Sequence, residues 1–244
     1  MSYSPTLAVG TAAFEIIAAG WAFTLVRSKG RGERAVPFTT GLILLLLAGY
    51  QLTEVAICAD VAAAGFLPRL AFVIVTWLPA LGLLLVAQIQ RPRSRAMYGF
   101  AIAMLALSAG IVGWIAVDSS FASASVCNAV YARYAHAQPR FQLYAGYYWV
   151  GLLGMTLVSG FGIRSTKDVR RRQCLGHVLI GTLGFILPSI AVSYFVPATK
   201  HALPSVLCHF ALILAMLLAH MLWVLRTSPE EATELTRSRP EARI

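Results

Sequence analysis

Seven stretches of about twenty apolar residues, at 7–26, 37–59, 67–89, 97–117, 141–163, 174–196 and 204–225, constrain this chain more than any other feature. A helix needs roughly 20 such residues to cross a bilayer core, and inside lipid every backbone polar group must be bonded within the protein. The stretches are bounded by charge or by Pro, Gly and Ser clusters. None alternates polar and apolar residues as a membrane-barrel strand does. The expectation is an all-α, polytopic bundle of seven transmembrane helices. It forms one domain over residues 1–226, followed by a polar, disordered cytoplasmic tail over 227–244. Only 12% of the 244 residues are charged, against about 25% in soluble domains, so no separate soluble domain is expected.

Lys and Arg concentrate in cytoplasmic loops of membrane proteins. Here 16 of the 20 lie in the connections after spans 1, 3 and 5 and in the tail, while Arg69, Arg133, Arg140 and Lys200 fall on the other side. The N-terminus is therefore expected outside and the C-terminus in the cytoplasm. The same residues give the net charge of +10. Spread over four short membrane-facing segments, that charge sets topology and meets anionic headgroups rather than nucleic acid. The first ten residues, MSYSPTLAVG, lack a basic leader region, so span 1 is expected to stay uncleaved.

Polar residues inside such spans carry what functional signal there is. The segment GYQLTEVAICAD (49–60) places Gln51, Glu54 and Cys58 three and four apart, on one face of span 2. Span 1 sets Glu15 in a stripe with Ala8, Ala12, Ala19 and Ala22, the kind of small-residue face on which membrane helices pack. Counting along alternating spans brings Glu15, Gln51, Glu54, Thr76, Trp77, Tyr144, Tyr147, Tyr148, Ser189, Ser193 and His209 into the outer half. Intramembrane carboxyls are costly and by default paired, neutral or cavity-facing. Three readings follow: a small-ligand pocket, a metal site, or a hydrogen-bond network that only specifies the fold. The candidate ligand-binding set is Glu15, Gln51, Glu54, Trp77, Tyr144, Tyr147 and His209. Cys58 and Cys127, both on the oxidising side, are the disulfide candidates, with Cys174 on the reducing side.

Several chemistries lack their residues. Seven-helix hydrolases of the alkaline ceramidase and adiponectin receptor type carry an HxxxH zinc pair in the last span; here Ile213 stands four residues after His209. Span 7 has no lysine for retinal. No serine sits in GxSxG, and Asp118 is not at the depth of Ser189 and His209. His177 and His220, at similar depth near the cytoplasmic side, invite a haem reading but read more simply as partners across two helices. No cofactor or metal is expected.

The segments YQLTE with Cys58, WLPALG (77–82) and CHFALILA (208–215) resemble those of uncharacterised bacterial seven-helix integral membrane proteins. The resemblance implies no activity. The expected function is that of a multi-pass protein of a bacterial inner (plasma) membrane. Its outer-half polar and aromatic cavity binds a small molecule or lipid, in a receptor-like role or as an accessory subunit. The alternative is a lipid-acting, membrane-embedded enzyme with Glu54 and Glu15 as acid and base and His209 as base or metal ligand. A small-solute transporter comes third, because no internal repeat is evident. Expected partners are membrane lipids, a small-molecule ligand and another membrane protein, with no nucleic acid.

Overall fold

The computed structural model describes residues 5–28, 30, 33–59, 65–90, 95–127, 132–136, 139–196, 199 and 202–226. The expected tail, Lys29, Arg31, Arg91, Arg93 and Lys200 lie outside these residues. The helices are α1 (Thr6–Ser28), α2 (Ala35–Cys58), α3 (Leu67–Ile89), α4 (Arg95–Val117), α5 (Arg140–Ser165), α6 (Val169–Phe195) and α7 (Leu203–Arg226). All seven are long and apolar enough to cross a membrane. At ~1.5 Å per residue, the shortest of them reaches just past the ~30 Å of a hydrocarbon core. Outward-facing side chains such as Leu143, Phe161 and Ile180 stay exposed, as lipid-facing residues do.

One element departs from the all-α expectation. Between α4 and α5 the chain forms an antiparallel hairpin of β1 (Ala122–Cys127) and β2 (Ala132–His136). These strands, ASASVC and ARYAH, are too short and too rich in small residues to give an alternating apolar signal. A second difference is the start of α6, five residues before the expected span. Asp168 accepts backbone N–H bonds from Arg170 and Arg171, so the three arginines of the first turn are helical although they lie outside the apolar run.

Helix α3 is the centre of the bundle. Of its spanning window 67% is buried, against 22% for α4, and it packs on α2, α4, α5, α6 and β1. Its neighbours approach closely where glycine leaves room. A Cβ on Gly151 of α5 would overlap the ring of Pro79 in α3, and one on Gly82 would overlap the Met155 sulfur. The small stripe of α1 packs inward as a unit, with Ala8, Ala12, Glu15, Ala19 and Ala22 all buried.

At one end of the bundle, Phe72 of α3 gathers four aromatic rings edge-on at centroid distances of 5.2–6.0 Å: Phe121, Tyr134, Phe141 and Tyr144. Two of the four come from the hairpin segment, so the hairpin is docked on the core. A Cys58–Cys127 disulfide ties β1 to the end of α2. Arg140 at the start of α5 donates to Asp118 (2.6 Å) and Ser120 (2.7 Å), closing the corner between α4 and α5. The Ser120 hydroxyl bond, then the Arg140 charge, hold the Asp118 carboxyl below the usual carboxylate range.

Candidate functional site

Beneath the hairpin, α2 and α7 each contribute a polar turn. Glu54 lies four residues before the end of α2 and Ser205 two residues after the start of α7, so both sit within ~6 Å of the helix ends along the axis. Glu54 is wholly buried, and the Ser205 hydroxyl stands 2.8 Å from each of its carboxyl oxygens. The backbone N–H of Ala132 in β2 donates to the same Ser205 oxygen at 3.2 Å. Tyr50, one turn before Glu54, meets Tyr134 of β2 hydroxyl to hydroxyl at 3.2 Å. The cover over the carboxyl is therefore built by the hairpin as well as by the helices.

One turn deeper, Gln51 donates from Nε2 to the Cys208 carbonyl at 2.8 Å, and its Oε1 is buried with no hydrogen-bond partner. Deeper again, Glu15 of α1 is wholly buried and neither of its oxygens has a partner. Helices α1, α2 and α7 pack on one another pairwise, and Glu15 lies on the buried face of α1. His209 is half-buried. Its Nδ1 lies 2.8 Å from the Ser205 carbonyl.

Of the seven candidate residues, Gln51, Glu54 and His209 thus meet at α7, and Glu15 sits on the buried face of α1, a helix that packs on α2 and α7. The other three do not join them. Tyr144 belongs to the aromatic set around Phe72. Tyr147 donates to the Thr76 carbonyl at 2.6 Å and meets Ser108 at 2.6 Å, a strut joining α5 to α3 and α4. Trp77 packs half-buried against the main apolar core. Sequence reasoning missed Ser205, Tyr50 and Tyr134. Ser205 was within reach of it: a carboxyl one turn deep needs a donor, and α7 begins at that depth.

The cavity inside the bundle is small and apolar. Its volume is about 30 Å³, and its lining includes Leu47, Leu78, Gly82, Phe185 and Leu214, with Tyr148 and Cys208 as the polar members. Organic ligands occupy roughly 300–1,000 Å³, so this space takes a water or two at most. None of the seven candidates lines it. Among the described residues no three His, Cys, Asp or Glu side chains gather as metal ligands.

At the opposite end, His177 of α6 and His220 of α7 are hydrogen-bonded ring to ring, Nε2 to Nδ1, at 2.6 Å. His177 Nδ1 lies 2.7 Å from the Gln173 carbonyl, which assigns the proton of that nitrogen and leaves Nε2 as acceptor when the ring is neutral. Two nitrogens at 2.6 Å leave no room for a metal between them, since each metal–nitrogen bond takes ~2.0 Å. The pair is a clasp between α6 and α7. The His220 ring stacks on Trp223 at 5.6 Å beside it.

No family model matches this chain, and no curated protein matches it.

Proposed function

We propose that this is a receptor-like or accessory protein of a bacterial inner membrane, with its N-terminus outside and its C-terminus in the cytoplasm. It binds a small molecule or a lipid at the cluster of Glu54, Ser205, Gln51 and His209. One observation carries the reading: the cover over the buried Glu54 carboxyl is completed by the hairpin, an element outside the helix bundle. Lifting the hairpin opens a preformed acceptor, with Ser205 as donor, without separating any pair of helices. Buried polar groups of this kind in a membrane protein are functional sites by default. Membrane lipids and a second membrane protein are the proposed neighbours. Both oxygens of Glu54 face Ser205 in the closed arrangement, and the apolar cavity of the bundle is lined by neither residue, which favours binding over the lipid-acting enzyme.

Native mass spectrometry of the purified protein tests the reading. The parent should carry a bound molecule that Glu54→Gln releases or weakens. A parent that flies only as the bare chain, under conditions gentle enough to keep known lipid adducts on other membrane proteins, overturns it. A phosphatase reporter fused after Arg226 should be inactive if that end is cytoplasmic.

A further inference from the structure

The disulfide joins the hairpin to α2 beside the buried carboxyl. Cys58 ends α2, one turn beyond Glu54, and Cys127 stands directly across the ladder from Ala132, the residue whose N–H reaches the Ser205 oxygen. The S–S bond, the cross-strand pair, the Ala132–Ser205 bond and the Ser205–Glu54 contact therefore make one closed circuit. Both cysteines are half-buried, whereas Glu54 and Ser205 are 0% exposed. Of the bonds in that circuit, the disulfide is the one a reagent outside the bundle can reach. The rest of the hairpin is held unequally along its length. Its base is packed: Phe121, just before β1, meets Phe72, Trp114 and Tyr144 at 5.4–5.6 Å, and Arg140 closes the corner beside it. Toward the other end, two hydrogen bonds of 3.2 Å reach α7 and α2, from Ala132 to Ser205 and between Tyr134 and Tyr50. Both are at the long end of the hydrogen-bond range.

We propose that the Cys58–Cys127 disulfide is a redox latch on the Glu54–Ser205 site. A dithiol reduces it, and the end of the hairpin that carries Cys127 and Ala132 then swings away from α2 and α7 about its packed base. This deepens the proposed binding role by naming what regulates that site, and it rests on that role. The exchange runs in two steps. One thiolate of the dithiol attacks a sulfur of the disulfide and displaces the other cysteine, giving a mixed disulfide; the second thiol of the dithiol then displaces the cysteine still bound. Two electrons and two protons pass to the protein, Cys58 and Cys127 become thiols, and the dithiol leaves as its own disulfide. What the bundle loses is the covalent side of the circuit. The α2–α7 contact one turn deeper, from Gln51 to the Cys208 carbonyl at 2.8 Å, is untouched. Opening is therefore local to the hairpin rather than shared with the helices.

The test is hydrogen exchange of the full chain in detergent, read by peptide mass, before and after treatment with dithiothreitol at the same pH. Alkylation should show Cys58 and Cys127 freed in the folded protein. Peptides covering β2 should then exchange about tenfold faster or more, while those of α3 and α7 keep their protection. Reoxidation with diamide should restore the slow exchange. The double variant Cys58→Ala with Cys127→Ala should exchange in β2 as the reduced parent does, with or without dithiothreitol. Three results overturn the latch: thiols freed only when the whole protein unfolds, β2 exchange unchanged by reduction, or every helix loosening together with β2, as a staple of the whole fold would give. These readings come from the parent, so they decide even where the double variant does not fold. No ligand takes part in the measurement. A hairpin that stays shut on reduction therefore removes the latch and leaves the binding reading to native mass spectrometry, and a hairpin that opens in a protein that carries no bound molecule removes the receptor reading alone.

Discussion

The Ser205 hydroxyl stands 2.8 Å from both oxygens of Glu54, although 151 residues separate the two in the chain. One hydroxyl proton serves the two acceptors, and the oxygen that carries it receives the Ala132 N–H. The contact thus fastens α2 to α7 and the hairpin to both.

The losses from removing the two partners should not add. Ser205→Ala takes from the buried carboxyl the hydroxyl that reaches both of its oxygens, and Glu54→Leu leaves that hydroxyl without its acceptor. Each is expected to destabilise by about 1–3 kcal/mol. The double variant should recover part of the summed loss, because the carboxyl and the hydroxyl are both gone, although the Ala132 N–H still loses its acceptor. Unfolding in detergent across this cycle measures the coupling, and strict additivity would rule out the direct bond.

Tyr147→Phe keeps the ring of the α5 strut and deletes its hydroxyl, which reaches Thr76 and Ser108. The Thr76 carbonyl is already an acceptor of other groups in a helix, so the loss is modest. A destabilisation of about 0.6–1.5 kcal/mol is expected from the range for hydrogen bonds between membrane helices. Retention of the parent melting curve would mean that water or a neighbour replaces the hydroxyl.

Gly151→Ala places a methyl group where the Pro79 ring already lies. A proline ring is fixed to its backbone and cannot swing aside, so α5 must move off α3 at about 1–3 kcal/mol. Gly110→Ala, in α4 with nothing within 4 Å of the added carbon, is the matched control and should be neutral or slightly stabilising through helix propensity. Equal effects at both positions would contradict the tight α3–α5 approach.

Acid should loosen the corner between α4 and α5. The Asp118 carboxyl is held below its ordinary value of 3.8 by Ser120 and Arg140. A depressed value contributes stability that is fully present above the ordinary value and is lost as pH falls through the lowered one. The protection of the first turn of α5 against hydrogen exchange, taken relative to the rate of an unstructured chain at the same pH, should therefore fall on acidification below 3.8 in the parent. In Asp118→Asn that dependence should be absent.

The helices were legible because bilayer thickness imposes a length on them, and a length of apolar sequence can be counted. The stripe of Ala8, Ala12, Glu15, Ala19 and Ala22 was legible for a related reason, since 3.6 residues per turn fixes which positions share a face. Depth is a one-dimensional quantity, and counting it placed Glu54, Gln51 and His209 at similar levels. It does not say which way each face turns about the bundle axis. That is why Tyr147, at suitable depth, points into the α3–α5 packing, and Trp77 lies half-buried against the main apolar core. The hairpin was illegible because its order comes from docking on Phe72 and from the bond at Cys127, neither of which leaves a local pattern.

The disulfide joins residues 69 apart, and α3 and α4 lie between them. Those two helices therefore belong to a covalent ring, with α1 and α2 as one arm and α5, α6 and α7 as the other. A single cut in the chain between α3 and α4 opens the ring but leaves one molecule, whereas a cut between α5 and α6 releases a fragment. On a non-reducing gel the first nicked form runs as a single species and separates in two only with reductant. A break in the connection between α3 and α4, like any other between residues 58 and 127, therefore leaves the two arms covalently joined.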